Sequence, residues 1–119
     1  MQRFTDLEVW RLGHQLTQEE YRITGAFPRE ELFGLTSQLR RASSSVPINI
    51  AEGSKRTSNK DYARFLNISE GSLAETEYEL MLARDLKYSS ADEIAPLLER
   101  CGLLARKLHN LRKKEEGKP

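Results

Sequence analysis

The 119 residues suffice for one domain with one core, since compact domains typically run to about 100–150 residues. A charged fraction of 31% beside a hydrophobic fraction of 38% fits helices that each bury one stripe, and argues against both a disordered tail and a fully buried parallel sheet. With 19 Lys and Arg against 18 Asp and Glu, the net charge of +1 gives no global attraction to nucleic acid or to an anionic membrane, so an electrostatic partner has to be met by a local patch.

The N-terminal segment MQRFTDLEVW has no apolar run of signal-peptide length, and no stretch approaches the roughly 20 apolar residues that span a bilayer. A cytoplasmic protein is expected. Behind an N-cap at Thr5 or Asp6, Leu7, Trp10, Leu12, Leu16 and Ile23 recur at helical spacing and predict a first helix over about 7–24. Gly25 and Pro28 end it, and a second helix is expected from Arg29 or Glu30, with Glu31 in the first turn.

In that second helix Leu32, Leu35, Leu39, Ala42, Val46 and Ile50 step by threes and fours and define its inward face. Pro47 removes the backbone donor that would bond the Ser43 carbonyl, so a kink is expected there, repaired by the hydroxyls of Ser43, Ser44 and Ser45 before the helix stops at Gly53. The polar run SKRTSN over 54–59 is a connection, with Ser58 or Asn59 capping a third helix over about 60–87. Its inward stripe joins bulky Tyr62, Phe65 and Leu66 to small Ser69, Ser72 and Thr76, which predicts a close crossing against helix two near Ser69 and Ser72.

A last helix begins at Ser89 or Ser90, and Ile94, Leu97, Cys101, Leu104, Leu108 and Leu111 alternate steps of three and four, the seam of a bundle or coiled coil. The lone Cys101 has no disulfide partner and is expected to pack as a small hydrophobe. The tail from Lys113 to Pro119 is polar and expected to fray. The result is an all-α protein, an antiparallel up-down-up-down four-helix bundle with a proline kink in helix two, forming a single domain over 1–119.

Residue types that carry chemistry are sparse. His14 and His109 stand far apart with no HxxxH or CxxC partner, and no ExxH motif supplies the paired ligands of a carboxylate di-metal bundle. GxxxxGK[ST] and GxGxxG are absent. The serine run invites a nucleophile reading, but serines beside an intrahelical proline more often serve the backbone. No catalytic residue, cofactor or metal is expected.

The segment QLRRASSSVPINIAEGSKR over 38–56 is followed by Tyr62-x-x-Phe65-Leu66 and Gly71-Ser72-Leu73-x-Glu75, and preceded by Phe4-x-x-Leu7-x-Val9-Trp10 and Phe27-Pro28-x-Glu30. As an ordered set covering nearly the whole chain, these motifs resemble the four-helix-bundle family named for open reading frames in intervening sequences of 23S ribosomal RNA genes, to which accessory subunits of diversity-generating retroelements are related. The resemblance implies an all-helical protomer, often a ring-like pentamer, with no established enzymatic activity. In the retroelement relatives it implies a basic pentamer that engages RNA and reverse transcriptase; this chain departs from them in being almost neutral.

Two constellations follow. Asn49 is placed inward on helix two and needs bonded partners; with Ser45, Glu52, Ser72 and Glu75 it forms an expected structural polar network, in which Glu75 pairs with Arg40 or Arg41. The cations Arg40, Arg41, Lys55, Arg56, Lys60 and Arg64 are expected around the second connection as a nucleic-acid or partner contact, with a second basic run, Arg106, Lys107, Arg112, Lys113 and Lys114, on the last helix. Alternatively these are solvated faces that complement the helix C-terminal dipole or meet acids of a neighbouring subunit, such as Glu70, Glu75, Glu77 and Glu79 of its helix three. A homo-oligomeric scaffold or adaptor is the leading reading, and an RNA-binding accessory protein the second.

Overall fold

A computed structural model describes residues 3–119. After a 3-10 turn over Phe4–Asp6 come four α-helices: α1 (Glu8–Thr24), α2 (Leu35–Ser54), α3 (Asn59–Asp85) and α4 (Ala91–Glu116), with a second 3-10 turn at Arg29–Glu31. No strand occurs among the described residues. Each helix packs on its neighbours in sequence, and α4 closes on α1, so α1 and α3 face each other across the diagonal of an antiparallel four-helix bundle measuring 48 × 23 × 20 Å.

The apolar stripes meet along the bundle axis. Leu16 and Ile23 of α1, Leu39, Val46 and Ile50 of α2, Leu66, Leu73 and Leu80 of α3, and Ile94, Leu97, Cys101, Leu104 and Leu108 of α4 form one continuous core. Burying each large aliphatic chain contributes about 1.5–3 kcal/mol, which is why stripe spacing decides the fold here. Cys101 is fully buried among them.

Pro47 lies inside α2, which runs through it as one helix. The Ser43 carbonyl, deprived of its usual amide, comes within 3.0 Å of the Thr17 hydroxyl of α1, whose single proton also has the Gly13 carbonyl in reach at 2.9 Å. The absent side chain of Gly13 lets α1 rest directly on the proline, where an added Cβ would lie 3.3 Å from Val46 Cγ1 and 3.5 Å from Pro47 Cδ. The partner for the freed carbonyl is therefore a threonine of α1, rather than the serine hydroxyls the sequence suggested. Ser44 Oγ instead donates to the Arg41 carbonyl at 3.2 Å.

Three boundaries differ from expectation. Helix two begins at Leu35, not near residue 29, because Glu31 folds back and accepts the Leu35 amide at 3.0 Å and the Tyr88 hydroxyl at 2.8 Å. Leu32, expected inward, therefore sits outside the helix and is 47% exposed. Helix one starts after Leu7, as Asp6 is turned back on the Arg3 amide at 3.3 Å. The tail does not fray at Lys113: α4 continues to Glu116, with Glu115 buried and bonded by Lys118 at 2.7 Å.

Helix α3 ends at Asp85 in a tight hydrogen-bonded reversal, where the Lys87 amide bonds the Arg84 carbonyl at 3.0 Å and the Tyr88 amide bonds the Ala83 carbonyl at 2.9 Å. This is the Schellman pattern, which places Lys87 at a left-handed φ of 64° that suits glycine. Lys87→Gly is expected to raise stability by about 1 kcal/mol, since the left-handed conformation penalises a Cβ by roughly that amount. An unchanged or lowered midpoint in urea denaturation would contradict it.

Candidate functional site

Small polar groups stitch α2 to α3 where the sequence predicted close approach. Ser69 Oγ donates to the Val46 carbonyl at 2.8 Å, and Ser45 Oγ and Ser72 Oγ are 2.8 Å apart. Asn49 is half-buried and donates to the Ser45 carbonyl and hydroxyl at 2.8 and 2.9 Å, so it reaches α3 through Ser45 and Ser72. Glu52 and Glu75 are exposed and take no part. Glu75 forms no ion pair with Arg40 or Arg41, because the inward position on α3 falls one turn later, at Glu79.

Glu79 and Glu20 are the polar residues that sequence reasoning missed. Glu20 of α1 is 0% exposed, and neither carboxyl oxygen has a hydrogen-bond partner; Glu79 of α3 is 5% exposed, with Oε1 unpartnered. An unpaired carboxylate in a core is unstable, so the group stays protonated instead. Burial pushes Glu20 up to about 8; the Ser43 hydroxyl offsets this in part, and the Glu79 carboxyl reinforces it. Ser43 gives its single hydroxyl proton to Thr17 Oγ1 at 3.1 Å, so it lies near Glu20 without hydrogen-bonding it. Glu79 is pushed up to about 7 by burial and by Glu75, against the pull of Arg41. The spacing Leu16, Glu20, Ile23 held the signal, since Glu20 continues the apolar stripe.

The six cations do not form one patch. Arg40 and Arg41 lie about 20 Å along α2 from Lys55, by its helical rise. Arg40 is tied to α1: its Nε donates to Thr24 Oγ1 at 2.8 Å and its guanidinium lies 4.7 Å from the centre of the Tyr21 ring. A shallow groove beside it is lined by Tyr21, Leu32, Phe33, Thr36 and Arg41.

Lys55, Arg56, Lys60 and Arg64 do gather at the α2–α3 connection, where the C-terminal turns of α4 also arrive. The Arg56 and Arg64 guanidiniums both lie over the Phe65 ring, 4.5 and 4.6 Å from its centre, and both reach Asp61. A groove of about 970 Å³ lies between α3 and α4, lined by Lys60, Asp61, Arg64, Asn67, Arg112 and Glu116 among others. Most of its cations are already neutralised within the chain. Arg64 pairs with Asp61, Lys118 with Glu115, and Arg112 with both Glu70 and Glu116. Lys55 and Lys60 carry no such partner among the described residues. His14 stacks on Trp10 at 5.0 Å, and no group of three or more His, Cys, Asp or Glu suited to a metal occurs among the described residues.

These features define a four-helix-bundle protein with an internal pair of protonatable carboxyls and a basic end largely balanced by its own acids. The chain belongs to the 23S rRNA-intervening sequence protein family, whose model matches residues 5–110. A solved structure from Bacteroides thetaiotaomicron, described as a protein with unknown function from the S23 ribosomal protein family, is similar with a TM-score of 0.79. It is 21% identical over 88% of this chain and 98% of that one, a likeness of fold. No curated protein matches the sequence. No described helix is long and apolar enough to cross a membrane.

Proposed function

We propose that this protein is a non-enzymatic cytoplasmic scaffold or adaptor that assembles with copies of itself, as a homopentamer, and offers the assembled surface to a partner. The observation that supports it most is apolar surface left outside a closed core: Phe33 is 93% exposed, Tyr78 61% and Ile48 51%. Phe33, Leu32 and Tyr21 line one groove rimmed by Arg40 and Arg41, and apolar patches with polar rims mark interaction sites. Light scattering at micromolar concentration is expected to give about five times the 13.7 kDa protomer mass. Phe33→Glu is expected to shift the mass toward the single protomer with helicity unchanged, since Phe33 lies outside the core cluster. A wild-type monomer would remove the self-assembly part of the reading.

The gathering of Lys55, Arg56, Lys60 and Arg64 with the end of α4 favours a second reading, an RNA-binding accessory protein. It requires affinity for an RNA hairpin that falls steeply with salt, and a salt slope reduced by about two on changing Lys55 and Lys60 to Ala. Retention of the RNA with an unchanged slope in that variant would place the contact elsewhere, and no binding at about 50 mM salt would sink this reading.

A further inference from the structure

We infer that Glu20 and Glu79 act as a proton-operated latch on α1: with both carboxyls uncharged α1 is seated in the bundle, and loss of their protons releases α1 from α4 while α2 and α3 stay joined. The case begins with placement. Glu20 stands in the core stripe of α1 between Leu16 and Ile23, and Glu79 comes from α3, the helix diagonally opposite. Three of their four carboxyl oxygens lack any hydrogen-bond partner.

Around the pair, no element supplies an internal cation. Helix α2 places the Ser43 hydroxyl near Glu20, its proton turned to Thr17, and the exposed Arg41 near Glu79; α3 adds Glu75 beside Glu79; α4 adds the Cys101 thiol, which feels Glu20 and Glu77. Two like charges created there have to be hydrated or separated, because burying an unpaired charge is far more costly than opening a weak seam.

The seam that yields is set by the packing. The α1–α4 contact is the thinnest of the four helix interfaces, whereas α3 is broadly packed on both α2 and α4. Two exposed ion pairs, Lys107–Glu8 at 2.9 Å and Arg22–Glu93 at 3.6 Å, bridge α1 to α4. Such pairs contribute little. Glu79 has Arg41 of α2 within electrostatic reach, whereas Glu20 has no cation beside it, so α1 is the helix that moves.

Cys101 makes the opening readable, because this sole thiol is fully buried on α4. The test compares full-length wild type with Glu20→Gln over pH 6–9, labelling with iodoacetamide and following amide hydrogen exchange. Comparing the two proteins at each pH removes the common ionisation of the thiol, and protection factors remove the base catalysis of exchange. The wild-type to variant ratio of labelling rates is expected to rise from near one to about tenfold or more, as a proton-linked opening changes by up to tenfold per pH unit. Wild-type protection is expected to fall along α1 while the middle of α3 keeps its own. A ratio independent of pH, or equal loss of protection in α1 and α3, would overturn the inference. Should Glu20→Gln fail to fold, the wild-type exchange profile decides alone: protection lost along α1 before the middle of α3 as pH rises supports the latch, and equal loss in both overturns it.

Discussion

Urea denaturation followed by circular dichroism is expected to show stability falling steadily between about pH 5 and pH 9, with Glu20→Gln flattening most of that fall. Both core carboxyls have folded values above the ordinary 4.5, Glu20 at about 8 and Glu79 at about 7. The folded state therefore holds protons that the unfolded chain releases. Their contribution is fully present below about pH 4.5 and is lost as pH rises through 7 and then 8. At 1.36 kcal/mol per pKa unit, Glu20 alone accounts for about 3–5 kcal/mol at pH 9, a large share of a typical 5–15 kcal/mol domain stability.

Glu31 opposes this trend on the acid side. The Leu35 amide, and then the Tyr88 hydroxyl, hold its carboxyl below the usual carboxylate value, so its contribution is present above 4.5 and lost as pH falls. The two effects place the stability maximum on the mildly acidic side, near pH 5. A wild-type profile flat from pH 5 to 9, or a Glu20→Gln protein less stable than wild type at pH 9, would show that the buried carboxyls are paired after all.

The same residues explain what could and could not be read from the sequence. Leu16, Leu39, Leu66, Leu73, Leu104 and Leu108 declare their helices because an aliphatic side chain has one favourable destination, and every one is buried. Serine and asparagine beside Pro47 were legible for a related reason: small hydroxyls and an amide at the inward edge of a helix have to find backbone or one another. Glutamate is different, since its usual exposure hides the case in which a neutral carboxyl fills a core position. In the sequence Glu79 has the look of a surface acid and nothing distinguishes Glu20 from its exposed neighbours, although both continue an inward stripe.

Charge patterning misled in another way. Arg40 and Arg41 are near Lys55 in sequence, but α2 is a rod, and the rod separates them along its length. The cations of α4 are remote in sequence from Lys60, yet the antiparallel turnings bring both to one end of the bundle. Ion pairs such as Arg112 with Glu70 depend on which faces meet, which helical spacing alone does not fix. Leu32 falls outside the helix that its spacing predicts because a single carboxylate, Glu31, competes successfully for the amide of Leu35 and starts the helix later.

Gly53→Ala is expected to destabilise the protein, reversing the usual benefit of alanine in a helix. Replacing a helical glycine by alanine ordinarily stabilises by up to about 1 kcal/mol. At Gly53 the added Cβ would lie 2.7 Å from Phe65 Cβ and 3.0 Å from Tyr62 Cδ1. The first of these atoms is fixed to its backbone, so α2 and α3 have to separate, and overpacking of that kind costs about 1–3 kcal/mol. With the propensity gain subtracted, a net loss of up to about 2 kcal/mol follows, lowering the melting temperature by up to about 12 °C for a domain of this size. Gly71→Ala is the matched control, because its added Cβ meets nothing within 4 Å and helix propensity acts alone, with an expected gain of up to about 1 kcal/mol. Since Phe65 supports both Arg56 and Arg64, the strain at Gly53 also displaces the two guanidiniums that define the basic end. If Gly53→Ala and Gly71→Ala raised the melting temperature equally, the close crossing of α2 and α3 at Phe65 would be refuted, and with it the rigid placement of those cations.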